Sequence, residues 1–287
     1  MPLSGRVCAV TGAGRGIGRH TAETLAAAGA RLALCSRSPD ELEEVQADLQ
    51  VRFGTDVLVR CVDVADYPSV QGFADAVGKR FGRVDVLVNN AGVYGPVGLI
   101  TEVEPGAWAS AVSVNLLGVM HAIRAFGPAM QAAGGGRIIN VGGGGVGGPG
   151  MPARVSAYTA SKAAVAGLTE TLSRELAPFG ILVNAVAPGA ISTSLIDTVI
   201  EAGPEVAGAA FHAGSVAQRA GGDSLTSVGD AMLFLASERS GGLTGKLLSA
   251  KWDPFDRIGE DAARLNATSL YTLRRIDGVM FDEVARS

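Results

Sequence analysis

The chain is 287 residues long, carries a formal net charge of −4 and is 47% hydrophobic, with 40 glycines. That length can bury a sizeable core, and the glycines predict many tight turns and close backbone approaches. A mildly acidic balance with no lysine- or arginine-rich block argues against nucleic acid or an anionic membrane as partner.

Residues 7–11, Val-Cys-Ala-Val-Thr, form a short buried strand. It runs into Gly12-Ala13-Gly14-Arg15-Gly16-Ile17-Gly18 and a helical stretch over 19–28. A glycine-rich turn between a buried strand and a helix lets backbone N–H groups approach a phosphate at the positive helix end. Residues 31–36 form a second strand, and Ser38-Pro39-Asp40-Glu41 starts a helix. Ser38 is expected to cap it, Pro39 to take the first position and Glu41 to close a capping box. An NAD site places a carboxylate at the end of this strand, on the ribose 2′-hydroxyl. Here Ser36, Arg37 and Ser38 stand there instead. A guanidinium beside two hydroxyls suits a 2′-phosphate, and Arg15 adds a second positive charge. NADP(H) is therefore expected over NAD(H), with Asp40 nearby as the opposing feature.

Residues 57–63 give a third strand ending at Asp63-Val64, and 84–88 a fourth, followed by Asn89-Asn90-Ala91-Gly92. A long helix covers much of 105–130 and carries Asn115 in an apolar setting, where its amide must find partners. Ile138-Ile139-Asn140-Val141 is a buried strand; a glycine run follows, then a helix over 156–177. Tyr158 and Lys162 sit at i and i+4 on one face of that helix. An ammonium close to a phenol favours its ionised form, so Tyr158 is suited to exchange a proton with a substrate oxygen near neutral pH.

Residues 181–186 form another strand, and Pro188-Gly189-Ala190-Ile191-Ser192-Thr193 a turn. In the loop 194–222, Leu195, Ile196, Val199, Ile200, Val206 and Phe211 are spread among Ala and Gly. They serve either as an apolar lid over a pocket or as packing on the body. A helix over 225–237 and a last strand over 246–249 complete the pattern. Alternating strands and helices imply an α/β fold, a single Rossmann-like doubly wound parallel sheet of about seven strands with helices on both faces. Ligands sit at the carboxyl ends of such strands.

The tail 251–287 is an extension too short for a core of its own. It carries Trp252, Phe255, Tyr271, Arg274 and Arg275, with a helical piece around 260–265. It is expected either to cap the pocket or to embrace a neighbouring subunit. The three cysteines, Cys8, Cys35 and Cys61, are odd in number and unpaired in spacing. They read as small buried thiols rather than a disulfide framework or zinc site, and no metal is expected. The segment Met1-Pro2-Leu3-Ser4-Gly5-Arg6 lacks the apolar core of a signal peptide, and no uninterrupted apolar run is long enough to span a bilayer. A cytoplasmic protein is expected.

The Gly12-x-x-x-Gly16-x-Gly18 turn, Asn89-Asn90-Ala91-Gly92, Asn115, Tyr158-x-x-x-Lys162 and the Pro188-Gly189 turn follow one another in the order found in the short-chain dehydrogenase/reductase family. The chain resembles that family over about residues 5–250. The resemblance implies an NADP-binding domain over 1–250 that includes the substrate loop 194–222. Within it, Gly12, Arg15, Gly16, Ile17 and Gly18 would meet the cofactor phosphates. Asp63 and Val64 would hold the adenine, while Asn90, Ala91 and Gly92 pack against the cofactor. Pro188, Gly189 and Ile191 would meet the nicotinamide carboxamide, with Thr193 by the pyrophosphate. Tyr158 would be the proton donor or acceptor, Lys162 would lower its pKa, and both would touch the cofactor. Asn115 would hold a water that relays protons through Lys162. Relatives are usually dimers or tetramers packed through two long helices, and Ala160, Ala163, Ala164, Ala166 and Gly167 would permit that approach.

One family feature is absent. The serine that holds the substrate carbonyl falls within Gly142-Gly143-Gly144-Gly145, with Gly143 taking its place in the catalytic set. Losing one oriented donor costs roughly a hundred- to a thousand-fold in rate. Ser156, a backbone N–H of the glycine run or a hydroxyl on the substrate are the possible replacements. The reading is an NADP(H)-dependent oxidoreductase that reduces a ketone, or oxidises a secondary alcohol, on an apolar, polyketide-like small molecule. Two alternatives stand beside it: a non-redox isomerase, dehydratase or cyclase using Tyr158 as acid/base, and a nucleotide-binding regulator, against which the intact Tyr158–Lys162 pair counts.

Overall fold

β1 (Val7–Thr11) is buried at every position. Side chains alternate along a strand, so Cys8 and Val10 enter one core while Val7 and Ala9 enter another. Such a strand needs helices on both faces, and the structure, a computed structural model describing residues 1–148 and 150–274, supplies them. β1 pairs in parallel with β2 (Arg31–Ser36), which pairs with β3 (Val57–Cys61). On its other side follow β4 (Val86–Asn89), β5 (Gly136–Val141), β6 (Ile181–Ala187) and β7 (Leu247–Ser249). The seven parallel strands run in the order β3-β2-β1-β4-β5-β6-β7, so the expected doubly wound sheet is present.

The helices in the first half are α1 (Gly16–Ala27), α2 (Pro39–Phe53), α3 (Tyr67–Phe81), α4 (Pro105–Val112), α5 (Gly118–Ala132) and α6 (Ser156–Glu175). Then come α7 (Asp197–Ala207), α8 (Ala209–Gly221), α9 (Leu225–Ala236), α10 (Phe255–Glu260) and α11 (Ala262–Asn266). Leu25 of α1, Leu49 of α2 and Met232 of α9 fill one face of the sheet; Phe73 of α3, Phe126 of α5 and Val165 of α6 fill the other. A buried polar chain fixes α6 to the sheet. Asn89 Nδ2 donates to Asn140 Oδ1 at 2.9 Å, and Asn140 Nδ2 donates to Thr169 Oγ1 at 2.9 Å.

Several local expectations are corrected. Ser38 makes no capping bond and no capping box forms. Ser36 Oγ accepts from the Ser38 N–H instead, and Glu41 turns toward Arg15 at 3.4 Å. The helix over 105–130 is two helices joined by a wider π-turn, Ser113–Leu117, around Asn115. Taken as one stretch, Pro105–Ala132 is long and apolar enough to cross a membrane by length and composition, with mean hydropathy 1.3. Ser113, Asn115, His121 and Arg124 interrupt it, so it is not an uninterrupted apolar run. In this fold α5 packs Ala122, Phe126 and Met130 into the core. The segment 194–222 is a helix pair rather than a loop, with α7 kinked at Gly203. Cys8 and Cys35 are buried, and burial pushes the Cys35 thiol up to about 12. Cys61 is exposed, because β3 is the edge strand.

The tail neither caps the carboxyl-end cleft nor stands apart within the described residues. Phe255 stacks on Phe234 of α9, ring centroids 5.2 Å apart, and Ile258, Ala262 and Leu265 join the core beneath α9. Leu247 N–H donates to the Tyr271 carbonyl at 2.8 Å, extending the bonding of β7 outward. Buried Lys246 Nζ donates to the carbonyls of Thr268 and Leu270, and Arg274 pairs with Glu170 of α6. The helical piece expected around 260–265 is split at Asp261 into α10 and α11. Arg275 lies outside the described residues. Deleting buried methylenes from a core residue costs about 2–5 kcal/mol. Ile258→Ala and Leu265→Ala should therefore each lower the calorimetric melting temperature by about 5 °C or more. An unchanged melting temperature in both would mean that the tail is not part of the core.

Candidate active site

The carboxyl ends of the strands open into a cleft of about 310 Å³. Its floor begins where β1 turns into α1. Gly12 (φ +65°) and Gly16 (φ +56°) hold backbone angles that favour glycine. Arg15, the N-cap of α1, makes no side-chain cap bond, so the first-turn N–H groups remain available to an anion. Gly18 faces inward: a Cβ there would overlap the Gly12 carbonyl and the Asn90 amide. Gly18 therefore serves close packing of the turn and does not line the cleft. Asn90 Nδ2 braces the same turn from behind, donating to the carbonyls of Thr11 and Gly12 at 3.0 Å each. Thr11 Oγ1 accepts from the N–H groups of Asn90 and Ala91, tying the ends of β1 and β4 together.

One end of the cleft is lined by Ser36, Arg37, Ser38, Asp63 and Val64, its middle by Gly12, Arg15, Gly16, Ile17, Asn90, Ala91 and Gly92. The other end is formed by Val141, Gly142, Tyr158, Lys162, Pro188 and Thr193. A Cβ on Gly16 would lie 3.3 Å from Thr193 Cγ2, so Thr193 stands over the glycine turn. Gly189 and Ile191 lie behind the wall. Asp223 holds that turn, its Oδ2 accepting from Ala190 N–H at 2.8 Å while Lys251 Nζ pairs with its Oδ1. Ile191 is buried, and its carbonyl accepts from Gln218.

Glu41 and Tyr94 are among the cleft residues that the predicted site set lacks. The Glu41 carboxylate stands over Gly14, where a Cβ would come within 2.6 Å of Oε2. Tyr94 directly follows the Asn-Asn-Ala-Gly-Val stretch, a signal that was readable but not weighed. Its ring lies 4.5 Å from that of Tyr158, tilted by 56°.

Tyr158, Lys162 and Asn115 are all buried and brought together around Gly92, whose hypothetical Cβ would lie 3.2 Å from Asn115 Oδ1 and 3.5 Å from Lys162 Nζ. Asn115 does not line the cleft. Its Oδ1 accepts from Val93 N–H at 2.8 Å, and its Nδ2 donates to the Val93 carbonyl and to Ser161 Oγ. Lys162 Nζ donates to the Val141 carbonyl at 2.8 Å and sits 5.8 Å from the centre of the Tyr158 ring. Burial pulls the Lys162 ammonium down to about 8. Burial, with the neighbouring Tyr94, pushes the Tyr158 phenol up rather than down. The expected downward pull of the lysine is thus outweighed by desolvation of the phenol. Gly143 (φ +138°) lies against Tyr158, with a hypothetical Cβ 2.6 Å from Oη. Ser156 is not placed as a replacement donor: it lies outside the cleft lining, its Oγ accepting from Trp108 Nε1 at 3.1 Å.

A lysine whose pKa falls from 10.5 to about 8 on folding binds fewer protons folded than unfolded between those values. Its burial weakens the fold fully below pH 8 and progressively less as pH rises toward 10.5. Lys162→Met should raise the melting temperature at pH 7 by about 2–4 °C, the gain fading toward pH 10. No gain at pH 7 would show that the bond to Val141 outweighs the buried charge.

The family model described as short chain dehydrogenase matches residues 6–202. Trans-4-hydroxycyclohexanecarboxylate dehydrogenase of Sinomonas cyclohexanicum is 36% identical over 250 residues, covering 85% of this chain and 90% of that one. The crystal structure of NAD⁺-bound xylitol dehydrogenase superposes with a TM-score of 0.76 at 32% identity, covering 87% of this chain and 98% of that one. A levodione reductase structure reaches a TM-score of 0.78 at 30% identity, covering 86% and 96%. With a continuous family match, relatives aligned along nearly their whole length and the same fold, this chain belongs to the short-chain dehydrogenase/reductase family of oxidoreductases.

Proposed function

We propose that the protein is an NADP(H)-dependent oxidoreductase that interconverts a ketone and a secondary alcohol on an apolar, ring-bearing small molecule. The observation that carries this reading is the single cleft joining the glycine turn at the start of α1 to Tyr158 beside a buried lysine. The cradle suits a dinucleotide: positive-φ glycines and open helix N–H groups face the middle of the cleft, and Gly92 leaves room that a side chain would fill. Bound there, the nicotinamide would supply or accept the hydride.

The chain's own residues would do the rest. Tyr158 is protonated across the physiological range, because its phenol is pushed up. It would give that proton to the carbonyl oxygen in reduction and take it back in oxidation. Lys162, anchored on the Val141 carbonyl, would present its charge to the cofactor ribose and to the phenol. Asn115 would fix the Val93 segment and, through the π-turn around it, the approach to Lys162. Arg37 stands exposed at the ribose end with no side-chain partner among the described residues. Glu41 is the competing carboxylate, and it is engaged by Arg15. That pairing supports a 2′-phosphate on Arg37. A relative acting on a cyclohexane ring and the aromatic walls Tyr94 and Phe211 support the substrate class. The small-residue face of α6, with Ala160 and Gly167 exposed, suits a homodimer or homotetramer.

Deuterium should pass from 4-deuterated NADPH to a panel of cyclic ketones, and Tyr158→Phe should reduce that transfer by at least about a hundred-fold. No label from the wild-type protein with either NADPH or NADH would move the reading to non-redox acid/base chemistry by Tyr158. Arg37→Ala should weaken NADPH binding by about ten-fold or more, measured by fluorescence titration, while leaving NADH unchanged. Equal binding of NADPH by both proteins would assign the ribose end to Glu41 and the cofactor to NAD(H).

A further inference from the structure

The structure leaves the substrate oxygen with one evident donor, Tyr158, in a family whose members use two hydroxyls. The seat of the second is closed. Gly143 holds φ +138°, a conformation that disfavours any side chain, and a Cβ there would lie 2.6 Å from Tyr158 Oη. Ser156 lies outside the cleft lining, its Oγ accepting from Trp108 Nε1. The Gly142 N–H is spent on the Val186 carbonyl within the sheet.

Tyr94 is placed differently. It lines the same cleft as Tyr158, with ring centroids 4.5 Å apart and planes tilted by 56°. Phe211 of α8 meets its ring edge-on at 6.5 Å, so the ring is held between α6 and the helix pair. Tyr94 belongs to the cleft lining, and its hydroxyl has no hydrogen-bond partner among the described residues. A phenol without a protein partner is free to donate to a ligand.

We infer that Tyr94 is a catalytic residue, its hydroxyl donating a second hydrogen bond to the substrate oxygen in place of the absent serine. The inference rests on the oxidoreductase reading above and deepens it. Tyr158 and Tyr94 form a two-phenol clamp on one oxygen. Tyr158 transfers its proton, whereas Tyr94 keeps its own and stabilises the charge that develops as the carbonyl opens. Burial pushes the Tyr94 phenol up, which keeps it a neutral donor. The two phenols also resist each other's ionisation, which adds to the rise at Tyr158. Two phenol rings beside the oxygen favour a flat or cyclic ketone over a branched open-chain one.

The test uses the full chain with NADP⁺ and ¹³C-carbonyl cyclohexanone, a complex of ketone and oxidised cofactor in which no turnover is needed. Infrared difference spectra should show the carbonyl stretch of the bound ketone moved to lower frequency in the wild-type protein. Tyr94→Phe and Tyr158→Phe should each remove part of that shift. Phenylalanine keeps the ring packing, so a merely structural Tyr94 would leave the stretch unmoved. In turnover with NADPH, Tyr94→Phe should lower kcat by roughly a hundred-fold with little change in NADPH affinity. An unshifted carbonyl in the wild-type protein, or a shift that Tyr94→Phe leaves intact, overturns the clamp. If the spectra show both contributions while no deuterium is transferred, the clamp stands and the oxidoreductase reading falls.

Discussion

The bond from Lys162 Nζ to the Val141 carbonyl is the contact on which the site depends. It crosses from α6 to the last residue of β5 and fixes the helix that carries Tyr158 against the carboxyl end of the sheet. The Asn89–Asn140–Thr169 chain does the same one layer deeper, so α6 is registered on the strands by polar groups rather than by apolar packing alone. Apolar contacts tolerate small slides, whereas buried polar groups do not, because a slide would leave them unpartnered. Position is thus maintained where the chemistry needs it, and the lysine's depressed pKa is a consequence of that placement.

Around this anchor the site is assembled from the ends of separate strands. Asn115 holds the segment after β4 through both atoms of its amide, and the π-turn gives it the depth to do so. Asn90 and Thr11 tie β4 to the glycine turn after β1. Asp223, paired with Lys251, holds the Pro188-Gly189 turn after β6. Lys251 starts the tail, which packs along β7 and α9. Among the described residues the extension reaches the turn after β6 through the Lys251–Asp223 ion pair, while Ile258, Ala262 and Leu265 are buried beneath α9.

How much of this was legible in the sequence depends on the physical range of each signal. The seven strands and the cleft at their carboxyl ends follow from local runs such as residues 7–11 and 181–186, whose β-branched and apolar residues can only be buried. The glycine turn and the Tyr158–Lys162 spacing are likewise local. What failed was decided by contacts between distant segments. Glu41 had a plausible local duty as a capping residue, but Arg15, 26 positions away, drew it into the cleft. The sign of the Tyr158 shift was misjudged because spacing reveals a neighbouring ammonium but not the depth of burial. The helix pair over 194–222 was hidden by the residues that break it, Gly203 and Pro204 at the kink in α7 and Gly208 between the two helices.

The glycine run after β5 shows why the missing serine is not a simple deletion. Gly143, Gly144, Gly145 and Gly147 all hold positive φ, so the loop follows a path that ordinary residues resist. A strained non-glycine residue in such a conformation costs of order 1–3 kcal/mol. On that path a Cβ at Gly143 would lie 2.6 Å from Tyr158 Oη and one at Gly144 would lie 3.2 Å from Thr159 Cα, which leaves little room for a side chain. Returning a serine to position 143 would require the loop to rebuild, since the new Cβ and the phenol oxygen compete for one volume. The glycines and the absent side chain at position 143 are parts of one arrangement, with the Tyr94 ring, on the segment after β4, 4.5 Å from that of Tyr158.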